Sequence, residues 1–434
     1  MTAEIAIMNK RAIALAADSA VTISGSNQGQ KIYNSENKLF MLSKYAPVGI
    51  MIYGDAEFMG IPWETIIKLF RGSLKKNTFK SLAGYATYLI EYLEKPGGLI
   101  SQEEQKKWFD ILVYGAFSSL KNDIQVLIQE IQDKSIGMSE AEIEKLSNDA
   151  MRKELVAQWE RLRDLKILKN LESINVDEIK TEHADIINSE ITNNFQKLPL
   201  DDDLKNKLID IAVWTFTKDT FHGSTGVVIA GFGINDVFPV YVNFECQLVF
   251  KNKLKHTDLD MTESAKAGSV IRFFAQSDMA KTFVRGVDPA MSNFSRIIIV
   301  KTFKELKDDF LNRIKGNITD PKILEPIEKD LDDNVRALIK SYGEQMEEYR
   351  KNEITDPILE TISTMPKDEL AIAAETLVNV TSFKRKVSGK AQTVGGPIDV
   401  AIISKCDGFI WIKRKHYFLK ELNMHFAENY FKED

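Results

Sequence analysis

A threonine stands second in the chain, and removal of Met1 would leave its α-amine free. That removal is expected because Thr2 has a small side chain. An α-amine with an ordinary pKa of about 7.7–8.0 can take the proton from its own threonine hydroxyl and make it a nucleophile. A nearby cation keeps the amine deprotonated, a carboxylate balances that cation, and a backbone N–H stabilises the oxyanion. Lys38, Asp18 and Gly54 are the candidates for these three tasks, in that order.

The sequence gives little indication of a metal site, a cysteine-based site or a nucleotide-binding loop. The five histidines are scattered, with no two of them four positions apart, which argues against a metal cluster. The two cysteines, Cys246 and Cys406, are too few for a disulfide framework or a cysteine zinc site. Gly231 and Gly233 lack the third glycine of a nucleotide-binding loop. We therefore expect neither a metal nor a cofactor.

Composition narrows the classes of partner. The chain has 434 residues, of which 44% are apolar and 28% charged, enough for about three domains or one elaborated domain. With 57 Lys and Arg against 63 Asp and Glu, the net charge of −6 argues against a nucleic-acid-binding protein. No apolar run approaches the roughly 18 residues of a membrane helix, and the N-terminus lacks the features of a secretory signal. We expect a soluble cytoplasmic protein with no nucleic-acid or membrane partner.

The elements that must position Thr2, Asp18 and Lys38 are short strands. Residues 5–8 and 12–17 are apolar runs around a polar turn, which predicts a hairpin. Two further apolar runs, residues 38–42 and 48–54, repeat this pattern. Asp18 would then end one strand, and Lys38 would begin another.

The rest of the chain alternates between helical and strand-rich blocks. Residues 61–216 and 303–380 are charged and carry apolar residues at helical spacing, and a Ser-x-x-Glu capping box opens a helix at residue 101. Residues 223–250 predict another hairpin, and residues 398–412 predict one turned by an Asp-Gly pair. This order of strands, helices, strands, helices and strands favours an α+β fold.

The chain's start resembles a known family. Residues 2–7, followed by Ala14-Leu15-Ala16-Ala17-Asp18-Ser19, look like the beginning of proteasome β-subunits and of the bacterial heat-shock ring peptidase, which are N-terminal-nucleophile (Ntn) hydrolases. Residues 37–42 resemble the family's lysine strand, and residues 54–57 its glycine turn. The resemblance implies that Thr2 is the nucleophile and that Lys38 tunes its amine. It also implies that Asp18 anchors Lys38 and that Gly54 contributes to the oxyanion hole.

The resemblance resumes in three later segments. Residues 226–244 are similar to the family's central hairpin, and residues 371–379 to its last inner helix, which precedes a Gly-Gly strand entry at residues 393–400. Residues 274–283 resemble its Gly-Ser-Gly turn, which implies that Ser277 hydrogen-bonds the terminal amine. The acid that the family often places before the Gly-Gly pair has no counterpart here.

The resemblance implies a four-layer αββα sandwich of the Ntn-hydrolase type with added helical insertions. The expected divisions are a discontinuous core of residues 2–60, 223–302 and 370–420, helical insertions at 61–216 and 303–369, and a C-terminal tail at 421–434.

The implied function is a threonine-type peptidase that cleaves peptide bonds through an acyl-enzyme. Two alternatives stay open, namely a small-molecule amidase with the same nucleophile and a non-catalytic scaffold or interaction protein. The expected partners are a peptide or protein substrate and further copies of the chain. An ATP-dependent unfoldase is a candidate partner, and it would have to be a separate protein because no ATP-binding loop is visible in this chain. We expect removal of Met1 alone to mature the chain, because no pro-segment precedes Thr2.

Overall fold

The computed structural model describes residues 3–24, 30–135, 138–195, 198–275, 278–318, 320–388 and 394–431. The strands are β1 (Ala3–Met8), β2 (Ala12–Ala17), β3 (Val21–Ser24), β4 (Gln30–Tyr33), β5 (Leu39–Met41), β6 (Val48–Gly54), β7 (Glu57–Phe58), β8 (Ile61–Pro62), β9 (Thr225–Gly231), β10 (Val240–Phe250), β11 (Lys253–His256), β12 (Asp260–Glu263), β13 (Val270–Ala275), β14 (Asp399–Ser404) and β15 (Gly408–Lys413).

The α-helices are α1 (Trp63–Leu74), α2 (Ala83–Glu94), α3 (Gln102–Lys134), α4 (Glu140–Asp164), α5 (Val176–Glu182), α6 (Ala184–Phe195), α7 (Asp202–Thr217), α8 (Ser264–Ala267), α9 (Asp278–Arg285), α10 (Pro289–Lys315), α11 (Pro321–Arg350), α12 (Asp356–Thr364), α13 (Lys367–Val387) and α14 (Met424–Phe431). A π-helical turn, Lys351–Thr355, joins α11 to α12. Helices combined with antiparallel sheets confirm the predicted α+β class.

The chain divides into two compact units. The first comprises Met1–Tyr53, Ala230–Tyr241 and Thr262–Asp434, and the second comprises Gly54–Ile229 and Val242–Met261. The predicted hairpins at the start and near the end of the sequence are confirmed as β1–β2 and β14–β15, and both lie in the first unit.

The first unit is built on a five-stranded antiparallel sheet in the order β13-β1-β2-β14-β15. β1 and β2 are buried along their whole length, because alternate residues face opposite sides and both sides are covered. On one side, α13 packs against β1, β2 and β14. The small side chains of Ala12, Ala14 and Ala16 face this helix and allow it to approach the sheet closely.

The second unit is mainly helical, with β9, β10 and β11 beside its helices. The predicted capping box at the start of α3 is confirmed, since Ser101 accepts a hydrogen bond from Glu104 N–H and the Glu104 carboxylate accepts one from Ser101 N–H. Aromatic rings fill the core, and those of Phe109 and Phe250 stack with their centroids 4.3 Å apart.

In the first unit, α10 and α11 form a helical hairpin with few buried side chains. Leu311 is the single buried side chain of α10, and α11 has none. An ion pair of 2.8 Å between Lys307 and Asp332 links the two helices. None of the described helices is long and apolar enough to cross a membrane.

Candidate active site

A buried ion pair lies where β2 ends and β5 begins. Asp18 directly follows β2, and Lys38 directly precedes β5. Lys38 Nζ donates to Asp18 Oδ1 at 2.6 Å and to the Ala20 carbonyl at 2.7 Å. The Asp18 side chain is fully buried and that of Lys38 is 6% exposed. The structure therefore brings together two of the residues that the sequence analysis selected.

The Asp18 carboxylate also receives backbone N–H groups from both ends of the chain. Its Oδ1 accepts from Ala3 N at 3.1 Å, and its Oδ2 accepts from Gly395 N at 2.9 Å and from Ala20 N at 3.4 Å. The Asp18 N–H in turn donates to the Ala3 carbonyl at 3.2 Å. Because Ala3 N and Lys38 Nζ bond the same oxygen, they lie at most about 6 Å apart. Asp18 thus holds a cation close to the first described residue of β1.

Glu4 supplies a second carboxylate to Lys38, and the sequence analysis did not select it. The Glu4 Oε1 lies 3.6 Å from Lys38 Nζ, and the Glu4 side chain is fully buried. A charged residue between Ala3 and Ile5 in an apolar strand was the available signal, because a buried charge requires a partner.

A second buried ion pair, Asp399 with Lys415, lies in the same unit and was also missed. Lys415 Nζ donates to Asp399 Oδ2 at 2.6 Å, and Lys415 N donates to Oδ1 at 2.8 Å. Burial lowers the pKa of the Lys415 ammonium, while the Asp399 carboxylate partly opposes this change. Asp399 lies three residues after Gly396. The family that the sequence resembles often places an acid before the Gly-Gly pair instead.

Strand register explains how these pairs become neighbours. Ala17 of β2 stands opposite Glu4 on one side and opposite Asp399 on the other. Ile5 and Val400, which follow Glu4 and Asp399, face α13. Because side chains alternate along a strand, Glu4 and Asp399 lie on the opposite face of the sheet. Two ammonium groups and three carboxylates are therefore held on or beside one cross-strand row, which crosses β1 at Glu4, near the N-terminal end of that strand, and continues to Phe274 of β13.

The remaining predicted site residues are placed differently. Thr2 and Ser277 lie outside the described residues. Gly54 is the first residue of the second unit and has a φ of 87°. A Cβ there would clash with the Ser224 carbonyl oxygen, so only glycine fits. In the first unit, Ala275 at the end of β13 stands directly opposite Ala3.

No protein-family model matches the chain, and no curated protein matches it. Within the described part of the chain, no three or more His, Cys, Asp or Glu residues are grouped as a metal ion would require.

Proposed function

We propose that this chain is a threonine-type hydrolase that cleaves peptide bonds with Thr2 as its nucleophile. The Thr2 hydroxyl attacks the scissile carbonyl carbon while its proton passes to the Thr2 α-amine. The leaving amine takes that proton, and an ester to Thr2 Oγ remains. Water, deprotonated by the same α-amine, then attacks the ester, releases the carboxylic acid and restores the hydroxyl.

The position of Lys38 is the observation that carries this proposal. Its ammonium bonds the carboxylate oxygen that also receives Ala3 N–H, and Thr2 directly precedes Ala3. The Lys38 ammonium disfavours protonation of an α-amine at the start of β1, and the Asp18 and Glu4 carboxylates act in the opposite direction. A decrease of one unit in the amine's pKa corresponds to about 1.4 kcal/mol and makes the free base the main form near pH 7.

Two further contributions are proposed from the sequence resemblance. Ser277 follows Ala275 by two residues, and Ala275 pairs with Ala3, which supports a role for Ser277 beside the terminal amine. Gly54 N–H is the proposed oxyanion donor. The antiparallel sheet with α13 on one face agrees with one half of a four-layer αββα sandwich.

The decisive experiment compares Thr2→Ala, Thr2→Ser and Lys38→Ala in peptide hydrolysis, with Lys10→Ala as a surface control on the same hairpin. We expect no turnover from Thr2→Ala and Lys38→Ala, measurable turnover from Thr2→Ser, and unchanged turnover from Lys10→Ala. Circular dichroism checks that each variant is folded. Hydrolysis by Thr2→Ala at the wild-type rate would exclude the mechanism.

Three measurements complete this test. Intact mass should show the loss of one methionine, because a retained Met1 blocks the amine. An epoxyketone probe, which reacts with an N-terminal threonine, should label the wild type and leave Thr2→Ala unlabelled. Comparing casein with small amides then separates a peptidase from a small-molecule amidase.

A further inference from the structure

A cavity of about 660 Å³ lies in the first unit, between the start of α10 and the end of α11. Its volume is typical of a binding site for a small molecule. Its lining includes four charged residues, and all four are basic, namely Arg285, Arg296, Lys340 and Arg350. No carboxylate is among the described residues that line it, so the cavity is electropositive.

Arg350 is mostly buried in this wall, with 19% of its side chain exposed. Its guanidinium donates a hydrogen bond to Ser292 Oγ at 3.0 Å, and the Glu347 carboxylate lies farther away, at 3.8 Å. A guanidinium has five N–H donors, so most of those of Arg350 have no acceptor among the residues that the structure describes. Burying a charge with so few partners is costly, which indicates that an anion from outside the chain completes the site.

Two further guanidinium groups lie at the same end of the cavity. Arg296 follows Ser292 by one helical turn, so their side chains are neighbours on one face of α10. Arg285 ends α9, and a hydrogen bond of 3.1 Å from the Thr355 hydroxyl to α9 holds this end beside the π-helical turn that follows Arg350. Within the described part of the chain, neither Arg285 nor Arg296 forms an ion pair.

The walls beyond the arginines are apolar. Ile299 lies about two turns after Ser292 on α10, and Ile339 lies about three turns before Arg350 on α11. Aliphatic side chains therefore extend along the cavity from its arginine end, namely Met291, Ile299, Ile339 and Met346. A ligand that fits this arrangement has a compact anionic group joined to an apolar body.

We propose that this cavity binds a soluble phosphate ester, with the phosphate on Arg285, Arg296 and Arg350 and an apolar organic group between α10 and α11. The planar guanidinium matches the oxygen atoms of a phosphate through paired hydrogen bonds. A phosphate monoester carries about 1.5 to 2 negative charges at neutral pH, which suits three guanidinium groups better than the single charge of a carboxylate. The proposal concerns ligand binding alone and stands independently of the proposed hydrolase activity.

Isothermal titration calorimetry of the full chain with n-octyl phosphate, below its micellar concentration, tests the cavity. We expect one molecule to bind per chain, at least about tenfold more tightly than octanoate or inorganic phosphate. Octanoate has the apolar body with a smaller charge, and inorganic phosphate has the charge without the body. Higher ionic strength should weaken binding, because three of the four basic side chains are exposed.

Two variants separate the anionic end of the cavity from its apolar walls. Arg296→Gln should weaken the binding of octyl phosphate about tenfold, because it removes a charged hydrogen-bond donor. Ile339→Ala should weaken octyl phosphate at least about threefold and leave the affinity for inorganic phosphate unchanged, since it removes contacts with the organic group alone. Arg336→Gln, on α11 outside the cavity and 78% exposed, is the matched control and should bind as the wild type does.

Circular dichroism confirms the fold of each variant. A wild type that does not bind octyl phosphate would overturn the proposal. Equal binding of octanoate and octyl phosphate, or wild-type affinity in Arg296→Gln, would overturn it as well. Vesicles that contain phosphatidic acid distinguish a free ester from a membrane lipid. Sedimentation with these vesicles that Arg296→Gln abolishes, without binding of octyl phosphate, would assign the arginines to a membrane surface instead.

Discussion

Asp18 joins three distant stretches of the chain through one carboxylate. It binds Lys38 and receives the N–H groups of Ala3 and Gly395. Removing one partner of a buried ion pair leaves the other charge uncompensated, which typically costs about 3–5 kcal/mol.

We therefore predict that Asp18→Asn lowers the free energy of unfolding by about 3–5 kcal/mol and abolishes most of the hydrolysis. Urea denaturation measures the stability, and Asp202→Asn, an exposed change on α7, should alter it by less than about 0.5 kcal/mol. Unchanged stability of Asp18→Asn would mean that the Lys38 ammonium does not depend on this carboxylate.

A second prediction concerns Glu4, which lies 3.6 Å from Lys38. Glu4→Gln removes a negative charge two residues along the chain from the proposed catalytic amine of Thr2, while preserving the shape of the side chain. Losing that charge disfavours the ammonium form, so the amine's pKa falls. The acidic limb of the pH–rate profile should move to lower pH by about one unit.

The exposed Glu360→Gln on α12 is the control for this shift and should leave the profile in place. A movement of the Glu4→Gln limb to higher pH would show that Glu4 does not act through the charge near the amine.

Part of this site could be predicted from the sequence because its signals are local. Asp18 and Lys38 each adjoin a recognisable strand. The threonine at position 2 suggested their role, which is to tune the pKa of its α-amine. Glu4, Asp399 and Lys415 could not be selected in this way. Their proximity arises from the pairing of β1, β2 and β14, whose register links positions almost 400 residues apart.

At the scale of elements, Lys255 connects β11 to the end of α7. Its Nζ donates to the Thr215 carbonyl at 2.6 Å and to the Thr220 carbonyl. Burial lowers the pKa of Lys255 to about 7. Between pH 7 and the ordinary lysine value of about 10.4, the unfolded chain therefore holds a proton that the folded chain has lost.

We predict that this lysine makes the second unit more stable as pH rises through that window, by up to about 1.4 kcal/mol per pH unit. Lys255→Met should lose the slope, whereas Lys253→Met on the same strand should keep it. Urea denaturation at about pH 7.5 and pH 9 measures the difference. Parallel pH curves for Lys255→Met and the wild type would contradict the prediction.

Elements were more predictable than their arrangement. The hairpins β1–β2 and β14–β15 follow from apolar runs around polar turns, and α3 follows from its capping box. The insertion of β14 beside β2 has no local signal, because strand order depends on burial in the assembled sheet.

At the scale of the whole molecule, the α10–α11 hairpin is long but adds few buried side chains to the hydrophobic core. Leu311 is the only buried residue in the part of this hairpin that the structure describes. We therefore predict that replacing residues 296–346 with a short Gly-Ser linker preserves the rest of the first unit. The free energy of unfolding should change by less than about 2 kcal/mol, while far-UV circular dichroism loses helical signal.

Leu370→Ala is the contrasting variant, because Leu370 is fully buried between α13 and the sheet. It should cost about 2–5 kcal/mol. A deletion that destabilises the unit as much as Leu370→Ala would show that the hairpin supports the fold.

The position of β14 between β2 and β15 has a consequence during translation. The ribosome completes β2 at residue 17, but its neighbour β14 ends at residue 404. At a translation rate of about 5–20 residues per second, β14 is completed about 20 to 80 s after β2, and until then one edge of β2 lacks its partner strand. Gly395, which binds Asp18, is made equally late. A nascent chain therefore cannot complete the charge arrangement around Lys38 until synthesis is almost finished, and the proposed hydrolytic activity would begin only then.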